Sequence, residues 1–298
     1  MANLKTDRLG RATFHHIAPA RDVHPTEREQ RWFEHIARHG PQSSTYLHEL
    51  TRDTHRCRDT SLRRLQALRA GGFLSLPVQQ RSTAHAAFNP YIYDLTQRSE
   101  AYLRAVGAIA PDVRPRGHWW HSYLTACVTS SIEILATRSG NTFLPAREIL
   151  ALKNATLAIP HGTSTLIPDQ LFAIDYGGIF RAFVLELDRG TEPITSPANR
   201  KSWARSIAQY DDVLARGLAQ SHYGLTASLI VLWVFTSKEK EHSFQKLLLG
   251  RPGTANRAIF TQTLSRVSGE TGPVPLQRAL YGAPWVRADG PPLVMSEV

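Results

Sequence analysis

Cysteine is scarce in this chain of 298 residues, which contains only Cys57 and Cys127. Two isolated cysteines exclude a disulfide framework and paired-cysteine zinc spacings, and they fit a reducing cytosol. Long apolar runs are also missing, because the longest, Leu229 to Phe235, is far too short to span a bilayer. Residues 1–21 are polar and lack an apolar core of signal-peptide length. We therefore expect a cytoplasmic protein with no membrane partner.

Motifs for nucleotide cofactors and for zinc are absent too. No phosphate-binding glycine loop occurs, so we expect no nucleotide cofactor. His118 and His121 have helical spacing, but no cysteine or acid completes a zinc set near them, so we expect no zinc. Tyr210 is interpreted as a packing tyrosine on an amphipathic helix rather than as a transesterifying nucleophile.

Positive charge is what the chain has in excess, with a formal net charge of +10. Such a balance favours an anionic partner, of which nucleic acid is the commonest. Charge alone does not separate DNA from RNA or from an anionic membrane surface. Residues 1–104 hold 16 Lys and Arg against 10 Asp and Glu, so this third supplies +6 of the +10.

The first third of the chain has the pattern of a small DNA-binding domain. We interpret residues 1–22 as a loose basic tail and residues 23–105 as the domain. Apolar spacing predicts three helices, at about 25–39, 44–52 and 56–70. Two short strands, 73–76 and 89–96, follow and indicate a hairpin. The order helix, helix, helix, strand, strand is typical of a winged helix-turn-helix domain.

Arginines concentrate on the third predicted helix and its surroundings. A helix of this length fits the major groove of double-stranded DNA, and arginines near its start would contact bases or phosphates. The alternatives are a merely solvated basic face or a winged helix that mediates dimerisation. A homodimer is one expected assembly, because winged-helix proteins often pair. The predicted DNA-binding residues are Arg52, Arg56, Arg58, Arg63, Arg64 and, in the wing, Arg81.

A proline- and glycine-rich linker, 106–117, separates this domain from residues 118–298. There we predict a helix at 118–137, strands at 180–187 and 227–235, and a helix at 199–216 between those strands. A strand–helix–strand unit is typical of an α/β domain. The fold class is therefore α+β or α/β in two domains.

Two carboxylates share one face of the first of those strands, because alternate residues of a strand point the same way. Glu186 and Asp188 lie on that face beside Ala182 and Val184. Two like charges in a buried position are costly unless a cation compensates, and Mg²⁺ prefers oxygen ligands. Asp169 could supply a third oxygen. In the alternative, Glu186 and Asp188 end the strand at the surface and pair with Arg181, Arg189 or Arg205.

Over residues 25–285 the chain resembles the replication-relaxation family of plasmids and mobile elements, which includes relaxases of the mobilisation-C type. The resemblance implies a restriction-endonuclease-like domain with a central mixed sheet and a PD-(D/E)xK site. The residues that carry it are 61–65 with Leu68, 72–74, 93–96 with 102–103, Pro168-Asp169, 185–191, Tyr210 and 231–236.

In that superfamily Asp169 and Glu186 match the metal-binding acids, and Glu133 on the preceding helix matches an accessory acid. The usual lysine two residues after the glutamate is replaced by Asp188. Three alternatives follow. In the first, Lys201 or Arg205 supplies the positive charge that the missing lysine would provide. In the second, Asp188 joins the metal site. In the third, the domain has lost its catalytic chemistry and only binds DNA.

The leading hypothesis is a relaxase-like endonuclease that nicks one strand of plasmid DNA with Mg²⁺ or Mn²⁺, in mobilisation, conjugation or replication. Its catalytic set comprises Asp169, Glu186, Asp188, Lys201 and Arg205, and its metal set Asp169, Glu186, Asp188 and Glu133. One alternative is a non-catalytic replication or transfer accessory factor, or a transcriptional regulator. Another is a defence or repair nuclease with the same fold.

Overall fold

The computed structural model describes residues 17–81, 90–108, 113, 118–196, 201–265, 267 and 274–297, with residue 81 described by its backbone alone. Within these ranges twelve α-helices and eleven strands give a mixed α+β protein. None of the described helices is long and apolar enough to cross a membrane. The described residues form two compact units. The first consists of the chain up to Ser130 together with the later segment 274–276, and the second consists of Ser131–Val267 and 277–297.

The first unit is mainly helical and carries one small sheet. The linker expected at 106–117 lies largely outside the described residues. The helices are α1 (Glu27–His39), α2 (Ser44–Leu50), α3 (Arg58–Ala70), α4 (Val78–Arg81), α5 (Gln97–Ala105) and α6 (Trp119–Arg138), within which the chain passes to the second unit. The strands are β1 (Gln42–Ser43), β2 (Leu74–Ser75) and β3 (Ile92–Leu95).

Helix α1 begins where the sequence places it, because Thr26 and Glu29 form a reciprocal capping box. The Thr26 backbone N–H donates to Glu29 Oε2 at 2.8 Å. Trp32, Phe33 and Ile36 point inward from α1 and are fully buried. Phe33 stacks on Phe73 with ring centroids 5.8 Å apart. The spacing of apolar residues in α1 therefore predicts its buried face.

The small sheet contains one strand more than the predicted hairpin. Its order is β1-β3-β2, and both pairings are antiparallel. The two-residue strand β1 pairs Gln42 with Tyr93, so β3 is central. A strand this short has no readable alternation, and only its partner reveals it. The polar turn predicted between the two strands of the wing begins with α4. The side chain of Arg81, at the end of α4, lies outside the described residues.

The second unit is built on a large mixed sheet. The strands of this unit are β4 (Thr142–Pro145), β5 (Ile159–His161), β6 (Ser164–Leu166), β7 (Gln170–Asp175), β8 (Phe180–Asp188), β9 (Leu229–Phe235), β10 (Ile259–Thr263) and β11 (Val286–Arg287). Of these, β5 and β6 form a separate antiparallel hairpin. Its helices are the end of α6, α7 (Ala146–Ala151), α8 (Trp203–Ala215), α9 (Leu218–Tyr223), α10 (Lys238–Leu249), α11 (Thr254–Ala258), α12 (Ala279–Gly282) and a 3₁₀ turn, Met295–Glu297.

The six-stranded sheet has the order β11-β10-β9-β8-β7-β4. Strands β8, β9 and β10 are parallel, while β7 runs antiparallel to both of its neighbours, β4 and β8. The predicted strand–helix–strand unit is confirmed as β8–α8–β9. Strand β8 is central and buried on both faces from Ala182 onward, so a carboxylate near its end is surrounded by protein.

Candidate functional site

Asp169 and Glu186 come together at one end of the pair β7–β8. The Asp169 backbone N–H donates to the Leu185 carbonyl at 2.9 Å, one residue before β7 begins. The Asp169 carboxylate accepts the Leu187 backbone N–H at 2.7 Å through Oδ2. These two bonds hold Asp169 across from the Glu186 position of β8. Its negative charge is close enough to raise the pKa of Glu186.

Glu186 is 2% exposed, and both of its oxygens accept hydrogen bonds. The Tyr210 hydroxyl donates to Oε1 at 2.6 Å, and the Lys201 ammonium donates to Oε2 at 3.0 Å. Burial raises the pKa of Glu186 to about 7, although the positive charge of Lys201 opposes the rise. Glu186 is therefore a buried carboxylate that a cation already accompanies.

Lys201 lies one residue before Ser202, the N-cap of α8. Lys201 therefore precedes α8 rather than lying on it, as the predicted helix at 199–216 would have it, and the catalytic role expected for Lys201 or Arg205 stays a prediction. Although burial opposes it, the carboxylates of Glu186, Asp169 and Glu192 raise the pKa of Lys201, so it remains an ammonium. Arg205, in the first turn of α8, lines the cleft described below.

Asp188 has a different environment from Glu186 although the two share one face of β8. Its Oδ2 accepts the Trp203 indole N–H at 2.6 Å, and its Oδ1 accepts the Gly190 backbone N–H at 2.6 Å. Gly190 has φ 83°, a left-handed conformation that favours glycine. Asp188 thus fastens the start of α8 to the end of β8.

The alternative that places both carboxylates at the protein surface does not fit, since Glu186 and Asp188 are 2% and 1% exposed. Glu133, the expected accessory acid, is buried on α6. It is not among the residues that line the cleft or the charges that shift the pKa of Glu186. Its metal role stays a prediction.

An open cleft of about 600 Å³ lies above Glu186. One wall is the β5–β6 hairpin with residues 164–167, and the other is the first two turns of α8 with Arg205 and Gln209. Gln209 donates a hydrogen bond to the Ser164 hydroxyl at 3.3 Å and so connects the two walls. The cleft is lined by two cations, Lys201 and Arg205, and by one carboxylate, that of Glu186.

The predicted arginines of the first unit fall into two groups. Arg52, Arg56, Arg58 and Arg63 are exposed around the start of α3. Arg64, in contrast, is one-third exposed and donates to the buried carboxylate of Glu29 at 3.3 Å. The first group forms a basic surface, in which Arg52 also pairs with Glu49 at 3.5 Å. Arg64 instead connects α3 to the start of α1.

Sequence reasoning missed Glu192, which bonds to Lys201, and the contact that Tyr210 makes with Glu186. Glu192 Oε1 lies 3.2 Å from Lys201 Nζ. Glu192 belongs to the loop between β8 and α8, where no periodicity marks a residue as inward. Tyr210 was recognised as inward-facing, but nothing in its spacing predicts a carboxylate opposite its hydroxyl.

Residues 33–229 of the chain match the family model described as replication-relaxation. The chain belongs to the replication-relaxation family. The matched segment runs from α1 to the first residue of β9, so it includes the basic surface and every residue bonded to Glu186. No curated protein and no solved structure matches this replication-relaxation chain. Family membership indicates a role related to plasmid replication or mobilisation.

Proposed function

We propose that this chain is a DNA-binding phosphodiesterase of a plasmid or mobile element, which nicks one strand with Mg²⁺ or Mn²⁺. One observation carries the proposal. Asp169, Glu186 and Lys201 converge at the end of β8, beneath a cleft whose other cation is Arg205. This combination of two acids and a lysine is what the family resemblance implies for a nuclease site, with the lysine supplied from another position.

The donor set fits a hard divalent cation. Asp169 and Glu186 offer carboxylate oxygens close to each other at the end of β8. Oxygen ligands are what Mg²⁺ and Mn²⁺ prefer. Asp169 and Glu186 would hold the ion. When bound, such an ion polarises a phosphodiester and lowers the pKa of a water molecule.

The chain's own residues have separate tasks in this proposal. Tyr210 is fully buried and orients the Glu186 carboxylate through Oε1. Lys201 and Arg205 place positive charge at the cleft, where it offsets the charge that develops on a phosphate during cleavage. Asp188 is assigned to holding Trp203 rather than to chemistry, because it does not line the cleft and its donors are the fully buried Trp203 indole and the Gly190 backbone N–H.

The first unit would bring DNA to this site. Its order of α1, β1, α2, α3, β2, α4 and β3 with a three-stranded antiparallel sheet supports a winged-helix domain. The exposed group Arg52, Arg56, Arg58 and Arg63 is assigned to DNA contacts, and those to phosphates provide salt-dependent affinity. Arg64 is assigned to bracing α3, since its guanidinium bonds to Glu29.

A nicking assay on supercoiled plasmid, with and without Mg²⁺ or Mn²⁺, tests the proposal. Glu186→Gln keeps the size of the side chain and removes its charge, so nicking should fall at least about 100-fold while DNA affinity is retained. Glu148→Gln, an exposed glutamate on α7 of the same unit, is the matched control and should nick like wild type. Nicking that survives Glu186→Gln would refute the assignment of this site.

A non-catalytic DNA-binding accessory factor is the second candidate. The observation that favours it is the replacement of the usual lysine by Asp188, together with protein donors on both Glu186 oxygens. This candidate predicts no Mn²⁺ binding that depends on Asp169 and Glu186. Titration calorimetry of wild type and Glu186→Gln with Mn²⁺ separates the two candidates.

A further inference from the structure

Lys201 lies between two carboxylates that come from different parts of the second unit. Its Nζ is 3.0 Å from Glu186 Oε2 at the end of β8. It is also 3.2 Å from Glu192 Oε1 in the loop that leads to α8. One ammonium is therefore shared between a central strand and a loop.

The loop that carries Glu192 is fixed next to Lys201 by backbone hydrogen bonds. The Trp203 N–H donates to the Pro193 carbonyl at 3.1 Å, and the Ala204 N–H donates to the Ile194 carbonyl at 3.0 Å. Two free amides of the first turn of α8 are satisfied in this way. As a consequence, Glu192 and Lys201 are held on two chain segments that are bonded to each other.

The two donors on Glu186 differ in how easily they can be displaced. Tyr210 is fully buried in the core, whereas the Lys201 side chain is 48% exposed. A divalent cation can use the second lone pair of a Glu186 oxygen, but it then lies beside the Lys201 ammonium on the same carboxylate. Lys201 is the one with room to move, and two positive charges do not share one carboxylate oxygen without repulsion.

We propose that Glu192 is a positioning residue for Lys201, retaining the ammonium beside the site when a divalent cation takes over the Glu186 oxygen. This inference rests on the proposed function for its metal. Glu192 is suited to the task because it is only 18% exposed and already bonds to Lys201 at the same time as Glu186 does. Its second oxygen, buried without a described partner, lets the carboxylate turn toward the ammonium without breaking another bond.

A double-mutant cycle on the full chain tests the proposal through Mn²⁺ affinity, measured by titration calorimetry on metal-free protein. The variants are Glu192→Gln, Lys201→Met and both together. Lys201→Met removes the competing cation and should tighten Mn²⁺ binding. Glu192→Gln should weaken Mn²⁺ binding by about threefold to tenfold, because Lys201 then stays on Glu186. In the Lys201→Met background the same substitution should have no more effect than the control Glu148→Gln.

Two results would overturn the inference. An equal weakening by Glu192→Gln with and without Lys201 would make Glu192 a metal ligand, and an unchanged affinity in both backgrounds would remove it from the site. If wild type and Lys201→Met both fail to bind Mn²⁺, the proposed metal-dependent function is wrong.

Urea unfolding of the metal-free variants separates that failure from the inference about the lysine. A double variant whose midpoint shift differs from the sum of the single shifts supports the Glu192–Lys201 pairing even without a metal. Additive shifts would overturn it. A plasmid-nicking rate measured at saturating and at low Mn²⁺ then shows whether Glu192→Gln acts through metal affinity alone.

Discussion

The first unit contains a buried ion cluster whose contribution to stability can be worked out from its contacts. Glu29, in the first turn of α1, is fully buried. It accepts the Thr26 backbone N–H at 2.8 Å, the Arg28 guanidinium at 2.8 Å and the Arg64 guanidinium at 3.3 Å. The perturbation is Glu29→Gln, which keeps the shape of the side chain and removes its charge.

The magnitude follows from the pKa of Glu29. Burial alone would raise this pKa, but the hydrogen bonds from Thr26, Arg28 and Arg64 outweigh burial and lower it from 4.5 to about 2. That difference corresponds to about 3 kcal/mol of unfolding free energy, at about 1.4 kcal/mol for each pH unit. Because the folded-state pKa is depressed, this stability is present above pH 4.5 and is lost as the pH falls toward 2.

The assay is urea unfolding at pH 7 and in steps down to pH 2, with hydrogen exchange of α1 and α3 amides to assign the loss to the first unit. Glu29→Gln should lower the unfolding free energy by about 3 kcal/mol at pH 7, and the difference should shrink between pH 4.5 and 2. Glu27→Gln, an exposed glutamate in the same turn, is the matched control. A loss below about 0.5 kcal/mol at pH 7, or one that does not change with pH, would refute the reasoning.

Three further predictions address the site and the DNA surface. Asp188→Asn should destabilise the protein by about 1–2 kcal/mol through its weakened bond to Trp203 while folded protein still nicks plasmid; lost nicking at unchanged stability would instead place Asp188 in the chemistry. Since the folded-state pKa of Glu186 is raised to about 7, the unfolding free energy of metal-free wild type should fall between pH 4.5 and 7 relative to that of Glu186→Gln. Urea unfolding in the presence of a chelator measures this difference, and unfolding free energies of the two proteins that change in parallel with pH would contradict it. Arg56→Ala with Arg63→Ala should weaken DNA binding and reduce the salt dependence by about two phosphate contacts without changing stability, whereas an unchanged salt dependence in fluorescence anisotropy would contradict their assignment.

Much of the local structure was determined by the sequence because its causes are local. Apolar spacing predicts α1 and its buried face, and a local capping box of Thr26 and Glu29 sets where the helix begins. Alternation along residues 180–188 predicts that Glu186 and Asp188 share one face of a strand. The short strand β1 and helix α5 were missed, since neither has enough periodic residues to stand out from its surroundings.

What separates Glu186 from Asp188 was decided only by the tertiary structure. Both are acids on one face of β8, yet Glu186 bonds to Lys201 and Tyr210, while Asp188 bonds to Trp203 and Gly190. Their partners lie 2 to 24 positions away along the chain, and the strand–helix connection sets which of them arrives at each carboxylate. Sequence periodicity reports the face on which a side chain lies. The charge and the donors it meets there depend on how distant segments pack, and that packing brings Lys201 to Glu186.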